Sequence, residues 1–428
     1  MDWLLFLMAL FNLGSMVAVF MPRAVPRKAV PWALFAFALL GTELSWVWLP
    51  LQATLALLFI IGGALDSGLG MLGLLILLVT WPGLVWSIRK GLDTRPHVES
   101  ALEQGLGNDY RGSIPAERQG LIRPEVRFEH WRNPVGMPQP GVEVLRDIAY
   151  APGGVRQQLD IYRPTTIPEG GCPVVLQIHG GAWMVGDKKQ QALPLMYTLA
   201  SRGYVCVACN YRLSPSVGFP THLLDCKAAL CWVREHGADY GMDTSFVAVT
   251  GGSAGGHLAA LMGLTGNRPE LQPDHPDVDT SVQACIPFYG VYDFLVRFDQ
   301  HPNRELYLDF AIDRVMYESP EDNPELWELG SPIAQVSRTA PPFMVIHGDL
   351  DSLALVEEAQ VFTRELGQVS ENPVVYLELP GAEHAFDCFR SPRTEEVIDG
   401  IYCFLEWVRA GARRAPDATS TATAPSSP

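Results

Sequence analysis

The sequence predicts an α/β protein: a mainly parallel eight-stranded sheet flanked by helices, preceded by an all-helical segment suited to a membrane. Three observations carry this. Charge is almost absent before residue 89, short apolar runs alternate with helical stretches between 142 and 410, and glycine-rich bends follow two of those runs directly.

The N-terminal segment comes first. Up to Ile88 the charged side chains are Asp2, Arg23, Arg27, Lys28, Glu43 and Asp66. A spanning helix needs about 20 mostly apolar residues to cross about 30 Å of hydrocarbon. Residues 3–20 and 69–86 satisfy this. Residues 30–65 are too long for one span and barely long enough for two, with a break at Pro50 and a charge at Glu43 that is costly in a membrane. One span over 42–65 after an interfacial 30–40 gives three crossings; a tight turn at Pro50 gives four. Arg23, Arg27 and Lys28 follow the first span, and Arg89 and Lys90 follow the last. Placing both clusters in the cytoplasm requires three crossings and a cytoplasmic globular domain. Asp2 and the lack of a small-residue cleavage site argue against a removable signal peptide. The 8 cysteines fall between 172 and 403 without the spacing of a disulfide framework.

Residues 1–90 therefore read as the membrane anchor, 91–141 as a linker or lid, 142–410 as the globular domain, and the Ala/Thr/Ser/Pro-rich 411–428 as a disordered tail. A net charge of −16 excludes a reader of phosphate backbones, so no nucleic-acid partner is expected. In the globular part, strands are predicted at 142–151, 155–163, 173–179, 204–211, 246–251, 283–289, 343–347 and 374–379. Helices are predicted at 188–202, 222–236, 255–265, 356–366 and 395–410. Runs such as 174–178 suit strands buried on both faces, hence a parallel sheet. The first two strands read as an antiparallel hairpin turning at Pro152, Gly153 and Gly154.

Chemistry concentrates in two bends. Gly251-Gly252-Ser253-Ala254-Gly255 is a G-x-S-x-G motif between an apolar strand and a helical stretch, the context in which such a serine becomes a nucleophile. The following helix N-terminus favours developing negative charge at the serine. His179-Gly180-Gly181-Ala182-Trp183 follows the strand at 173–179. Its backbone amides, chiefly Gly180 and Gly181 with Ala182 beside them, are placed to join the Ala254 amide in an oxyanion hole.

An acid and then a histidine should follow the serine. His384 lies in a loop after the last strand, where a base reaches the sheet edge. His257 is on the serine's own helix and reads as packing, His347 as orienting the acid loop, and His275 and His301 lie in irregular polar stretches. The acid is expected just past the strand at 343–347: Asp351 is preferred and Asp349 competes. Asp160, Asp225 and Asp293 read as structural. Cys206 and Cys209 have redox or zinc spacing but lie in an apolar strand, so no metal site is indicated. The segment 293–330 reads equally as a cap or a solvated insertion.

At these residues the chain resembles the α/β-hydrolase fold and, within it, the hormone-sensitive-lipase-like carboxylesterases, being most similar to membrane-anchored actinobacterial carboxylesterases and lipases. The resemblance covers about 142–409. It rests on Leu159-Asp160-Ile161-Tyr162-Arg163-Pro164, the loop at 179–183, Asn210-Tyr211-Arg212-Leu213-Ser214-Pro215, the bend at 251–256, His347-Gly348-Asp349-Leu350-Asp351 and Glu383-His384-Ala385-Phe386. It implies Ser253 as nucleophile, Asp351 as acid, His384 as base, oxyanion donors at Gly180, Gly181 and Ala254, a small-molecule or lipid ester as substrate, and no cofactor. Ala182 stands where the family usually has a third glycine, and Gly252 where the lipase-like branch often has an aspartate. An amidase of the same fold, and a non-catalytic ligand-binding protein on the same scaffold, are the alternatives.

Overall fold

The computed structural model describes residues 1–20, 31–122, 133–298 and 304–411, with no side-chain detail for 31–34. Arg23, Arg27, Lys28, His301 and nearly all of the tail lie outside these residues.

Four apolar helices open the chain: α1 (Asp2–Phe20), α2 (Pro31–Glu43), α3 (Ser45–Ile61) and α4 (Gly68–Leu92). Among the described residues two helices are long and apolar enough to cross a membrane, Asp2–Phe20 and the stretch beginning at Gly68; the count is three if α2 and α3, bent by 88°, form one span. The turn expected at Pro50 is corrected. The chain bends at Leu44, and Pro50 lies within α3. Two interactions fix the bend there: the Trp46 indole N–H donates to Glu43 O at 3.1 Å, and Glu43 itself is held by the globular domain. Inside the bundle, polar side chains pair with one another. Asn12 donates to Thr80 Oγ1 at 2.6 Å, Gln52 donates to Asn12 Oδ1 at 3.1 Å, and Trp81 donates to Gln52 Oε1 at 2.9 Å. Such bonds join α1, α3 and α4 through their buried polar side chains.

Helix α5 (Thr94–Leu106) follows almost without interruption. The stretch read as linker or lid thus begins with a packed element: Val98, Leu102 and Leu106 are buried with Val375, Leu377 and Ile401 of the globular domain. Gly105 permits the approach, since a Cβ there would lie 2.5 Å from Val375 Cγ2.

The globular domain has an α/β-hydrolase-like fold with a mixed sheet and flanking helices. Its strands are β1 (Val142–Ala149), β2 (Gln158–Pro164), β3 (Cys172–Ile178), β4 (Val205–Cys209), β5 (Met242–Gly252), β6 (Ala284–Phe288), β7 (Phe343–Gly348) and β8 (Val374–Leu379). They form one sheet in the order β1-β2-β4-β3-β5-β6-β7-β8. The β1–β2 and β2–β4 pairs are antiparallel, and the other five are parallel. The expected hairpin forms, but Gly154–Gln157 is a 3₁₀ turn, so β2 starts at Gln158. A bulge in β1 leaves Asp147 in the left-handed region (φ 59°), where its N–H donates to Asp160 Oδ1 at 2.8 Å.

Around the sheet pack α6 (Leu193–Ser201), α7 (Thr221–His236), α8 (Ala254–Leu264), α9 (Arg304–Ala311), α10 (Pro324–Leu329), α11 (Val356–Val369) and α12 (Pro392–Arg409). Strands β3 and β4 are buried along their whole length, which is why they read as continuous apolar runs rather than alternating ones. Cys206 and Cys209 belong to the cores on opposite faces of the sheet, so their thiols do not converge. Part of the segment 293–330 packs inward: Phe294, Ala311, Val315 and Trp327 are buried in the same core as Leu258 and Leu261 of α8.

Candidate active site

Register sets the site. Ile178 pairs with Gly251 across β3 and β5, Gly252 with Phe288 across β5 and β6, Phe288 with Ile346, and Gly348 with Leu379. The residues just beyond these pairs, at 179–181, 253, 289, 349–351 and 380–384, therefore emerge along one edge, at the C-terminal ends of the parallel strands. Ligands bind at that edge in open α/β sheets.

Ser253 sits at the junction of β5 and α8 with φ 58° and ψ −122°. A non-glycine residue in this region stores about 1–3 kcal/mol of strain. The junction is tight enough to impose it. A Cβ on Gly255 would lie 2.1 Å from Ile178 O, and one on Gly251 would lie 2.4 Å from Gly255 O. The Ser253 N–H donates to Phe288 O at 3.0 Å, which fixes the bend. Gly252 also has a local reason: a side chain there would meet the Tyr289 hydroxyl at 2.7 Å.

His384 Nδ1 lies 2.7 Å from Asp351 Oδ2. The other Asp351 oxygen accepts from the amides of Leu353 (2.9 Å) and Ala354 (2.7 Å). Burial pushes the Asp351 carboxyl up, but the charge and hydrogen bonds of His384 and His347 outweigh it, and the group titrates below its ordinary range. Asp351 thus accepts the Nδ1 proton of His384, and Nε2 has no protein partner among the described residues. The Tyr289 ring lies 4.5 Å from the imidazole, and the Tyr289 hydroxyl donates to buried Asp387. The same Tyr289 stands against Gly252, so the serine bend and the histidine loop flank one aromatic ring. Asp349 lies elsewhere, accepting the Gly381 amide at 2.6 Å and bracing the loop that leads to His384.

The oxyanion loop needs a correction. The Gly180 N–H donates to Gln191 Oε1 at 2.6 Å, so it is not free to meet a substrate oxygen. Among the described residues the amides of Gly181, Ala182 and Ala254 have no acceptor. Gly181, Ala182 and Trp183 all have positive φ (119°, 51° and 59°), a twist that turns the loop over the Ser253 side. A Cβ on Gly180 would lie 3.0 Å from Ser253 Cβ, so the loop and the serine are in contact.

Two further side chains brace the acid: Glu383, which motif reading missed, and His347, which it expected to orient the acid loop. Glu383 Oε1 accepts from Ser352 N and His384 N, both at 2.8 Å, joining the acid and base loops. Burial, then the nearby Asp351 charge, push the Glu383 carboxyl up to about 7. His347 Nε2 is 3.2 Å from Asp351 Oδ2 and 3.1 Å from Ala354 O, both acceptors, so that nitrogen carries the proton. A histidine ending β7 was a visible signal for this; the pairing of Glu383 with Ser352 was not.

The remaining histidines and acids are occupied elsewhere. Trp183 donates to His257 Nδ1 at 3.3 Å, and His257 Nε2 lies 2.7 Å from Gly330 O. Burial lowers His257 to about 3. His275 lies 3.5 Å from Glu235. Asp160 holds Lys188 and Arg146, Asp225 holds Arg212, and Asp293 holds Arg297.

The family described as BD-FAE matches residues 159–366, from β2 into α11. The chain is 42% identical over 344 residues to the probable carboxylic ester hydrolase LipM of Mycobacterium tuberculosis (strain ATCC 25618 / H37Rv), covering 77% of this chain and 76% of that protein. It is 38% identical over 338 residues to the esterase LipQ of the same organism, covering 76% of this chain and 78% of the relative. Among solved structures, C6-C4 SN3 inhibited esterase B from Lactobacillus rhamnosis superposes with a TM-score of 0.55 at 21% identity, over 69% of this chain and 92% of that one, a likeness of fold.

Proposed function

The chain belongs to the family of α/β-hydrolase carboxylic ester hydrolases, and from that premise we propose that it is a membrane-anchored serine esterase working through an acyl-enzyme on Ser253. The observation that carries the reading is the strained Ser253 bend, sharing one sheet edge with an imidazole whose Nδ1 is bound by buried Asp351.

The chemistry follows from that arrangement. Ser253 Oγ attacks the ester carbonyl carbon while His384 Nε2 takes its proton. Asp351 keeps the Nδ1 tautomer and stabilises the imidazolium. The carbonyl oxygen, now negative, is held by the amides of Gly181, Ala182 and Ala254; each such donor contributes about 2.7–4 kcal/mol to the transition state. The C–O bond breaks, and His384 returns the proton to the departing alkoxide. Water, deprotonated by His384, then attacks the acyl carbon, the bond to Ser253 Oγ breaks, and His384 returns the proton to Oγ as the acid leaves.

The apolar helices α1 and α4 support a membrane anchor, with the bent pair α2–α3 as a third crossing, in which case the globular domain lies on the cytoplasmic side. Two measurements test the function. Aryl-ester hydrolysis by the full chain should fall at least 10³-fold in Ser253→Ala, and the protein should remain in the membrane fraction after alkaline carbonate washing. Undiminished turnover in Ser253→Ala overturns the mechanism, and release by carbonate overturns the anchor.

A further inference from the structure

We propose that helix α2 forms a wall of the ester site, and that the preferred ester carries a hydrocarbon chain lying against Phe35. This rests on the hydrolase reading above and goes beyond it by assigning a selectivity residue to the membrane bundle. The Phe35 ring stands edge-on to His384, with centroids 6.0 Å apart and planes at 78°.

Three further joints hold the bundle to the loops carrying the acid and the base. At the far end of α2, Glu43 Oε1 lies 2.9 Å from Arg393 Nε, and Glu43 Oε2 accepts from Ser391 Oγ at 2.9 Å. Arg393 also donates to Pro380 O (2.8 Å) and Gly381 O (3.0 Å), so one guanidinium ties α2 to the loop preceding His384. Leu350, beside Asp351, packs with the cluster of Met16, Ala38 and Leu84. Gly381 accommodates α4: a Cβ there would lie 3.0 Å from Lys90 Cβ and 3.2 Å from Trp86.

A buried ion pair stabilises little unless its geometry is held. Here Glu43 and Arg393 are each about 1% exposed at the side chain and each is held by a further partner of its own, Ser391 for Glu43 and the carbonyls of Pro380 and Gly381 for Arg393, which makes this a fixed joint rather than a loose docking. Along α2, from Pro31 to Thr42, no residue is charged. The surface that reaches the imidazole is therefore apolar and continuous with the membrane-spanning helices. An ester partitioned into the bilayer meets this wall with its alkyl or acyl chain, while a short water-soluble ester leaves the wall unused.

The test uses the full chain in lipid nanodiscs and a p-nitrophenyl ester series from acetate to decanoate, with Phe35→Ala, Phe35→Leu and Phe35→Trp. The decanoate-to-acetate ratio of kcat/KM should fall about tenfold in Phe35→Ala, mainly through KM, and less in Phe35→Leu. If the alanine variant does not fold, the leucine and tryptophan variants give the reading, and an altered ratio in either supports the wall. A ratio unchanged within twofold in every folded variant overturns it. Fluorophosphonate labelling of Ser253 in the same preparations separates the two readings. A wild type that is labelled and active, with ratios that do not move, removes the wall alone; one that neither labels nor turns over acetate removes both.

Discussion

His347 and His384 approach the same oxygen of Asp351, Nε2 of the first at 3.2 Å and Nδ1 of the second at 2.7 Å. The acid is thereby fixed from both sides, and His347, fully buried at the end of β7, acts through Asp351 rather than on substrate. His347→Asn should lower kcat about tenfold with KM nearly unchanged, whereas Asp351→Asn should lower kcat about 10³–10⁴-fold. Steady-state kinetics on one aryl ester checks both. Equal losses in the two variants would contradict the division of roles.

Glu383 gives stability a characteristic pH dependence. Its carboxyl, pushed up to about 7 by burial and then by Asp351, stays protonated in the folded protein where an unfolded glutamic acid has already ionised. Between about pH 4.5 and 7 the folded state binds more protons, so this group's contribution falls as pH rises and is level above 7. The full loss is about 3 kcal/mol. Glu383→Gln should remove it. Denaturant-derived stabilities at pH 5 and pH 8 should show wild type losing ground to the variant as pH rises; a constant difference contradicts the assignment.

Buried imidazoles act in the opposite sense. Burial lowers His179 and His222 to about 4 and His257 to about 3. The unfolded chain takes up these protons near pH 6.5, so stability is complete above 6.5 and is lost as pH falls, toward 4 by about 3 kcal/mol each for His179 and His222 and toward 3 by about 5 kcal/mol for His257. His257→Gln can still accept from Trp183 and donate to Gly330 O. It should flatten the acid limb by that amount in pH-dependent unfolding. An unchanged limb would show that His257 is not held neutral.

The serine bend has no room for a methyl group. Gly255→Ala places a Cβ 2.1 Å from Ile178 O, a backbone atom of a fully buried strand. A loss of about 3 kcal/mol or more is expected, with activity falling in parallel as the bend shifts. Gln191→Ala tests the neighbouring loop. Releasing the Gly180 amide should lower kcat about tenfold through loop disorder while leaving stability within about 1 kcal/mol. Thermal unfolding and turnover measured together separate the two cases.

What the sequence made legible, and what it did not, divides along one physical line. Strands such as 174–178 and 343–347 declare themselves because burial on both faces demands uninterrupted apolar residues. The serine bend declares itself because backbone crowding admits only glycine at 251 and 255. The bend at Leu44 did not, since Glu43 finds Arg393 only after 350 residues of chain have folded; Pro50, the local signal, proved compatible with a helix. The Gly180 amide was expected to be free for the same reason: nothing local announces that Gln191 captures it. The Asp349–Asp351 ambiguity was likewise tertiary, resolved by which carboxylate faces Gly381 and which faces His384.

The central claim is that Ser253 Oγ is the nucleophile activated by His384. Its most direct test is peptide mapping by mass spectrometry after reaction of the full-length protein with a fluorophosphonate. The account predicts one stoichiometric adduct on the peptide containing Ser253, formed at least 100-fold more slowly in His384→Ala. An adduct on another residue, or labelling at Ser253 that proceeds equally fast without the imidazole, would contradict it.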